Sequence, residues 1–180
     1  NEAYMNTGVQ RSSATPPTAR TATTPAMGDA PGNVFGTGKN VPLIALAHNI
    51  PYVATASVAN LHDLERKVQK AMSLEGSRYI HIFVPCPLGW GSAAEDTIKV
   101  ARLASECGLF PLWEGELGVV TGSDPIRRKV PVEDYLQTQK RFAHLFKPER
   151  DEERLAVLQR MADHNIDRFD LLREDKEPAI

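Results

Sequence analysis

The feature that most limits how this chain can fold is an alternation of apolar and amphipathic runs between Val41 and Cys107. VPLIALAHN reads as a short buried helix, with Pro42 in its first turn and Asn49 near its end. IPYVATASV follows as a strand, entered at Pro51 and favoured by Tyr52, Val53 and Thr55. Asn60 then caps a helix, with Asp63 at its third position. Leu61, Leu64, Val68, Ala71 and Met72 share one face at helical spacing. Glu65, Arg66, Lys67 and Lys70 are expected to face solvent, and Gly76 to stop the helix. RYIHIFVPCP is an apolar strand of the kind buried on both faces of a parallel sheet. Ser92 and Glu95 have capping-box spacing for a further helix through Cys107, stopped by Gly108. Strand, helix, strand, helix predicts right-handed crossovers and an α/β layer fold.

The flanks behave differently. Residues 1–40 are rich in Thr, Ser, Ala, Gly and Pro and lack apolar periodicity, so a long loop is expected. Within it, GDAPGNVFGTG suits disorder. Asn1 to Thr24 suits an ordered binding loop, because small hydroxyl residues and glycine let backbone amides approach a ligand. After Leu109, FPLWEGELGVVTG reads as a hairpin or extended excursion. PVEDYLQTQKRFAHLF reads as one amphipathic helix, and Asp151 to Asn165 as another, with Leu155, Leu158 and Met161 on a stripe. Their charges are expected on solvated faces, and their apolar stripes on a partner surface. The final REDKEPAI reads as frayed. The chain thus divides into 1–112, with loop and connector over 1–40, and a helical C-terminal region over 113–180.

Composition removes whole classes of function. Twenty-one basic against 23 acidic residues leave a formal charge of −2, giving no electrostatic reason to expect nucleic acid or an anionic membrane. The longest apolar stretch falls far short of the ~20 residues of a membrane span. Two cysteines, Cys86 and Cys107, exclude a disulfide-rich scaffold and point to a reducing, cytoplasmic setting. Asn1 in place of Met, with no leader after it, reads as a fragment of a longer chain.

Three features carry possible chemistry. NEAYMNTG followed by VQRSSATP gathers carboxamides and hydroxyls around a glycine. Such oxygens suit Mg²⁺, and the amides after such a turn suit phosphates. Cys86 stands between two prolines in VPCPLGW at the end of an apolar strand, where open α/β sheets bind ligands. Prolines on both sides are expected to deny that segment helical geometry. Its bland alternative is a buried structural thiol. Cys107, in a helix before its glycine, reads as packing. His48, His62, His81, His144 and His164 read as structural histidines, and no P-loop, nucleophile elbow, GxGxxG or HExxH is present.

Taken in order, NEAYMNTGVQRSSATP, IPYVATASVA, IHIFVPCPLGW, GLFPLWE and PVEDYLQTQKRFAHL closely resemble the 2-oxoacid:ferredoxin oxidoreductase family, and among it the beta subunits of the pyruvate enzymes. The resemblance covers nearly the whole chain. It implies a three-layer thiamine-diphosphate-binding fold with a parallel sheet, and a place in its C-terminal part. It implies that Asn1 supplies a side-chain ligand to Mg²⁺ and Ala3 a backbone carbonyl. Asn6 would stand by the thiazolium and substrate as the catalytic carboxamide. Thr7, Gly8 and Gln10 would contact the cofactor or its surroundings, and Cys86 would be one of four ligands to a [4Fe–4S] cluster. The implied reaction converts pyruvate and coenzyme A to acetyl-CoA and CO₂, with electrons passing to ferredoxin. Partners would be the other subunits, of alpha, gamma and delta type. A chain lacking half of the Mg²⁺ site and most of the cluster site would be inactive alone. The alternatives are a relative acting on another 2-oxoacid, a cluster-free thiamine diphosphate decarboxylase or synthase, and a subunit-interaction module.

Overall fold

The computed structural model describes residues 2–172. Its centre is a four-stranded sheet in the order β4-β3-β5-β6, where β3 is Tyr52–Ser57, β4 Arg78–Phe83, β5 Trp113–Glu116 and β6 Val119–Ser123. Tyr52 pairs in parallel with Arg78 and Ser57 with Phe83, joined by the crossover helix α2, Leu61–Ser73. β5 runs antiparallel to both β3 and β6. The sheet is therefore mixed, a correction to the all-parallel expectation. FPLWEGELGVVTG does form a hairpin, and that hairpin adds to the sheet against β3. Leu117 and Gly118 make its two-residue turn with φ of 46° and 88°, the positive pair that a tight hairpin with right-handed strand twist requires.

Helices lie on both faces of this sheet. Tyr52 and Ala54 meet Ala71 of α2 on one side. On the other, Val53 and Trp113 meet Leu46 of α1, Val41–Ala47, and Ile166 of α6, Glu152–Arg168. Trp113 stacks on Phe169 at 5.3 Å. A third body of core joins Phe83 and Trp90 to α4, Thr97–Glu106, to α5, Val132–Leu136, and to α6. The expected cap of α2 is present, Asn60 accepting from the Asp63 amide, and α6 is capped in the same way by Asp151, which accepts from the Arg154 amide.

Helix α2 keeps its expected polarity only in part, with Ala71 buried and Glu65 and Arg66 exposed. Leu61 is 67% exposed and Met72 73%, whereas Asp63 and Lys67 are buried. The reason is a set of acceptors the helix pattern cannot show. Lys67 Nζ donates to Asp63 Oδ2 at 2.7 Å, to the Thr55 carbonyl at 2.9 Å and to Asp124 Oδ2 at 3.3 Å. A fully buried ammonium is tolerated only when its protons are all taken in this way. Beside it, Arg66 and Lys70 reach Glu114 on β5, which also accepts from Tyr52 Oη at 2.6 Å. The hairpin is thus bolted to α2 by charge.

Four other expectations are corrected. β4 is not buried on both faces: as the edge strand it leaves Ile82 exposed, and Val84 just past its end is exposed as well. Ser92 and Glu95 form no capping box; Ala93 precedes a 3₁₀ turn at Ala94–Asp96, without a side-chain cap, before α4. Residues 131–146 are not one helix. α5 stops at Leu136, Gln139 is extended, and a 3₁₀ segment spans Lys140–Leu145, because Arg141 is drawn inward. Finally, Leu155 and Leu158 of α6 are buried in this chain's own core, not held out for a partner. REDKEPAI lies outside the described residues.

Candidate functional site

The N-terminal loop is ordered by its own polar side chains. Thr15 Oγ1 donates to the Glu2 carbonyl at 2.6 Å and accepts from the Ser12 amide at 2.9 Å. The buried Asn33 donates to the Thr15 carbonyl at 2.8 Å and accepts from Arg11 Nε at 3.1 Å. Asn33 lies within GDAPGNVFGTG, so this segment is pinned to the loop instead of following the disorder its composition suggested. Hydroxyls and carboxamides here do the work that a ladder of strands does elsewhere.

This framework carries a small hairpin, β1 at Ala3–Tyr4 against β2 at Gln10–Arg11. Ala3 pairs with Arg11. At the tip, the amides of Gly8 and Val9 both point to the Met5 carbonyl, at 3.1 and 3.4 Å. Gly8 has φ +100°, and Val9 holds φ +60°, an uncommon value for a β-branched residue and a mark of local strain. Thr7 Oγ1 lies 3.2 Å from Gln10 Oε1. Asn6, Thr7 and Gly8 are exposed at this tip. Asn1 lies outside the described residues.

Cys86 meets the hairpin from the other side. It sits half-buried with φ −106° and ψ 98°, the extended geometry imposed by the following proline, and begins a one-turn helix α3, Pro87–Trp90. The flanking prolines do not exclude helix here: Pro87 occupies a first-turn position, where its missing N–H costs nothing. Trp90 N donates to the Cys86 carbonyl at 2.9 Å, and Gly91 closes the turn with φ +68°. Gly89 is the contact point. A Cβ there would lie 2.1 Å from Met5 Sδ and 3.4 Å from Cys86 Sγ. Met5 therefore lies over Gly89 beside the thiol, and Asn6 is the next residue on the hairpin tip.

Arg141 fixes this arrangement, although its place among dense charges suggested only a solvated face. The guanidinium is buried and bonds Glu2, Gln139 Oε1 at 2.8 Å and Tyr135 Oη at 3.2 Å, and it lies 3.9 Å from the Trp90 ring centre. One side chain thus joins the hairpin strand, α5 and α3. The only trace in the sequence is the company it keeps, Tyr135, Gln139 and Phe142 at helical intervals. Cys107 packs as expected: burial pushes its thiol up to about 12, and Sγ donates to the Ala104 carbonyl. His81 is held low by burial and bonds Tyr79 Oη at 3.1 Å through Nδ1. Among the described residues no three His, Cys, Asp or Glu side chains group to hold a metal ion. A half-buried thiol such as Cys86 can act as a metal ligand, and the exposed Asn6 carboxamide can accept or donate a hydrogen bond to a ligand.

No family model matches the chain. Over 171 residues it is 49% identical to pyruvate synthase subunit PorB of Methanosarcina barkeri, covering 95% of this chain and 57% of that one. It is 48% identical over 145 residues to the PorB of Methanocaldococcus jannaschii, covering 81% and 48%. This chain is a relative of the PorB subunits. Ketoisovalerate oxidoreductase subunit VorB of Pyrococcus abyssi is also similar, 42% identical over 176 residues, with 97% and 55% covered. The chain spans about half the length of these curated relatives. No helix among the described residues is long and apolar enough to cross a membrane.

Proposed function

We propose that this chain is part of an enzyme that oxidatively decarboxylates a 2-oxoacid, with pyruvate the preferred substrate. Pyruvate and coenzyme A would give acetyl-CoA, CO₂ and a proton, and two electrons would leave singly through an iron–sulfur cluster to ferredoxin. The observation that carries the reading is the seating of Met5 on Gly89, which brings the hairpin residue before Asn6 to the segment that holds Cys86. Met5 and Cys86 pack on the same core around Phe83 and Trp90, and the relatives' names point to 2-oxoacid chemistry.

In this reading residues 1–112 belong to the C-terminal part of a thiamine-diphosphate-binding domain, with 113–180 completing its helical side. Asn1, by its side chain, and Ala3, by its carbonyl, hold Mg²⁺. Thr7, Gly8 and Gln10 shape the cofactor side of the loop, and Cys86 gives one thiolate to a [4Fe–4S] cluster. Bound thiamine diphosphate supplies the electron sink that decarboxylation needs. The chain's own part is positional. Asn6 presents a carboxamide that donates a hydrogen bond to a substrate oxygen, and Arg141 holds the strand leading to it through Glu2. The other subunits and ferredoxin are the partners, in the cytoplasm.

The test uses the complete complex. Asn6→Ala is expected to lower turnover by about a hundredfold while the complex assembles normally. Cys86→Ser is expected to abolish rapid ferredoxin reduction while some decarboxylation persists. Unchanged turnover in the first and unchanged electron transfer in the second would remove both residues from the chemistry.

A further inference from the structure

The two flanks of α2 are unlike. On one, Arg66 and Lys70 reach across to Glu114 of β5. Leu61, Val68 and Met72 recur at helical spacing on the other flank, and all three are exposed. In the order β4-β3-β5-β6, the strand on the side of β3 away from β5 is β4. The apolar stripe therefore overhangs β4.

Below the stripe the sheet stops. Among the described residues β4 is paired only with β3. Ile80 of β4 packs with Tyr52, Ala54 and Ala71 beneath α2. Side chains alternate along a strand, so Ile82 stands on the same face, and it is exposed. An apolar helix flank, an apolar strand residue and an unpaired strand edge thus meet at one border. Strands paired in parallel are ordinarily covered on both faces, and this border is where β4 is not.

One occupant meets all three needs. A strand laid along β4 takes up its open amides and carbonyls, and the crossover helix of a parallel strand comes to rest beside α2. The PorB relatives have the length to supply such a unit, since this chain matches only 57% of the Methanosarcina barkeri subunit. A twofold contact between copies fits less well. It would lay α2 on α2 and bring together two Glu65 carboxylates, each set within its stripe at helical spacing from Leu61, Val68 and Met72.

We propose that the β4 edge and the Leu61–Val68–Met72 flank of α2 together seat a further strand–helix unit of the same protein, drawn from the length that the PorB relatives have beyond this chain. The strand pairs with β4, and the helix lays an apolar face on the stripe with a cation opposite Glu65. The roles given to Asn6 and Cys86 are not needed for this.

The probe is the stretch of the Methanosarcina barkeri subunit with no counterpart here, expressed separately and titrated into the full chain. Sedimentation velocity reads the stoichiometry and hydrogen exchange the location. A one-to-one complex is expected, with exchange of the β4 amides slowed by about tenfold or more. Leu61→Glu with Met72→Glu, both at exposed positions, should weaken it by about a hundredfold with an unchanged circular dichroism spectrum. His62→Glu, on the Arg66 side of the helix, should leave the affinity as it is. No complex, a complex without protection at β4, or equal affinity in the double variant overturns the proposal. Self-association of the chain through β4 that the probe does not displace makes this face a contact between copies, and overturns it equally.

Discussion

Met5 Sδ occupies the volume that any side chain at position 89 would need, 2.1 Å from where a Cβ would stand, and Cys86 Sγ lies 3.4 Å from the same point. The missing side chain of one residue is what allows the hairpin to lie against the cysteine segment. Gly89→Ala is therefore expected to push the flexible thioether aside, at a stability cost of only about 1 kcal/mol. The alkylation rate of Cys86 by iodoacetamide should rise several-fold in this variant and in Met5→Ala. An unchanged rate in both would show that Met5 does not shield the thiol.

Arg141 should matter far more to stability. Arg141→Met strands the Glu2 carboxylate and the Tyr135 hydroxyl that the guanidinium now joins, and a loss of about 3 kcal/mol is expected in urea unfolding. Glu2→Gln, on the less buried partner, should cost clearly less. Comparable losses would mean that the charge pair, and not the hub geometry, holds the loop.

Glu114 predicts an acid limb. Burial would raise its pKa, but hydrogen bonds from Tyr52, Arg66 and Lys70 outweigh this and hold it at about 2, below its ordinary 4.5. A carboxylate depressed on folding stabilises the protein above its unfolded value and loses that contribution as pH falls from about 4.5 toward 2. Thermal melts of Glu114→Gln across this window should show a shallower decline than the parent chain. Parallel curves would discount the hairpin's charge bolts.

His144 predicts a second limb at higher pH. Burial, then Arg20 and Arg154, push it down to about 4. The unfolded chain binds the proton more readily, so the neutral ring's contribution is complete above about 6.5 and fades as pH falls to 4. His144→Leu should flatten stability between these values, read from chemical denaturation at stepped pH. A slope equal to the parent's would place the titration elsewhere.

Much of the local structure was legible because its causes are local. Asn60 with Asp63 announced α2, and the apolar run from Tyr52 announced β3. What escaped the reading has distant causes. Lys67 is buried because Asp124, 57 positions away, accepts from it. The break at Gln139 exists because Arg141 turns inward to Glu2, 139 positions away. No window of helical periodicity contains such a pair. Of the site, the two motifs were legible, but their contact was not. It depends on an atom that Gly89 lacks, and an absence has no period.

The edge position of β4 has a consequence of its own. Its outward row of amides and carbonyls, flanked by Ile82 and Val84, is paired on one side only among the described residues. Backbone groups do not discriminate between suitors, so any extended peptide of adequate length can zip onto them. Kept by itself at high concentration, the chain has a ready seam for growing into larger species, and a short β-breaking charge at Ile82 would be the economical way to keep it dispersed.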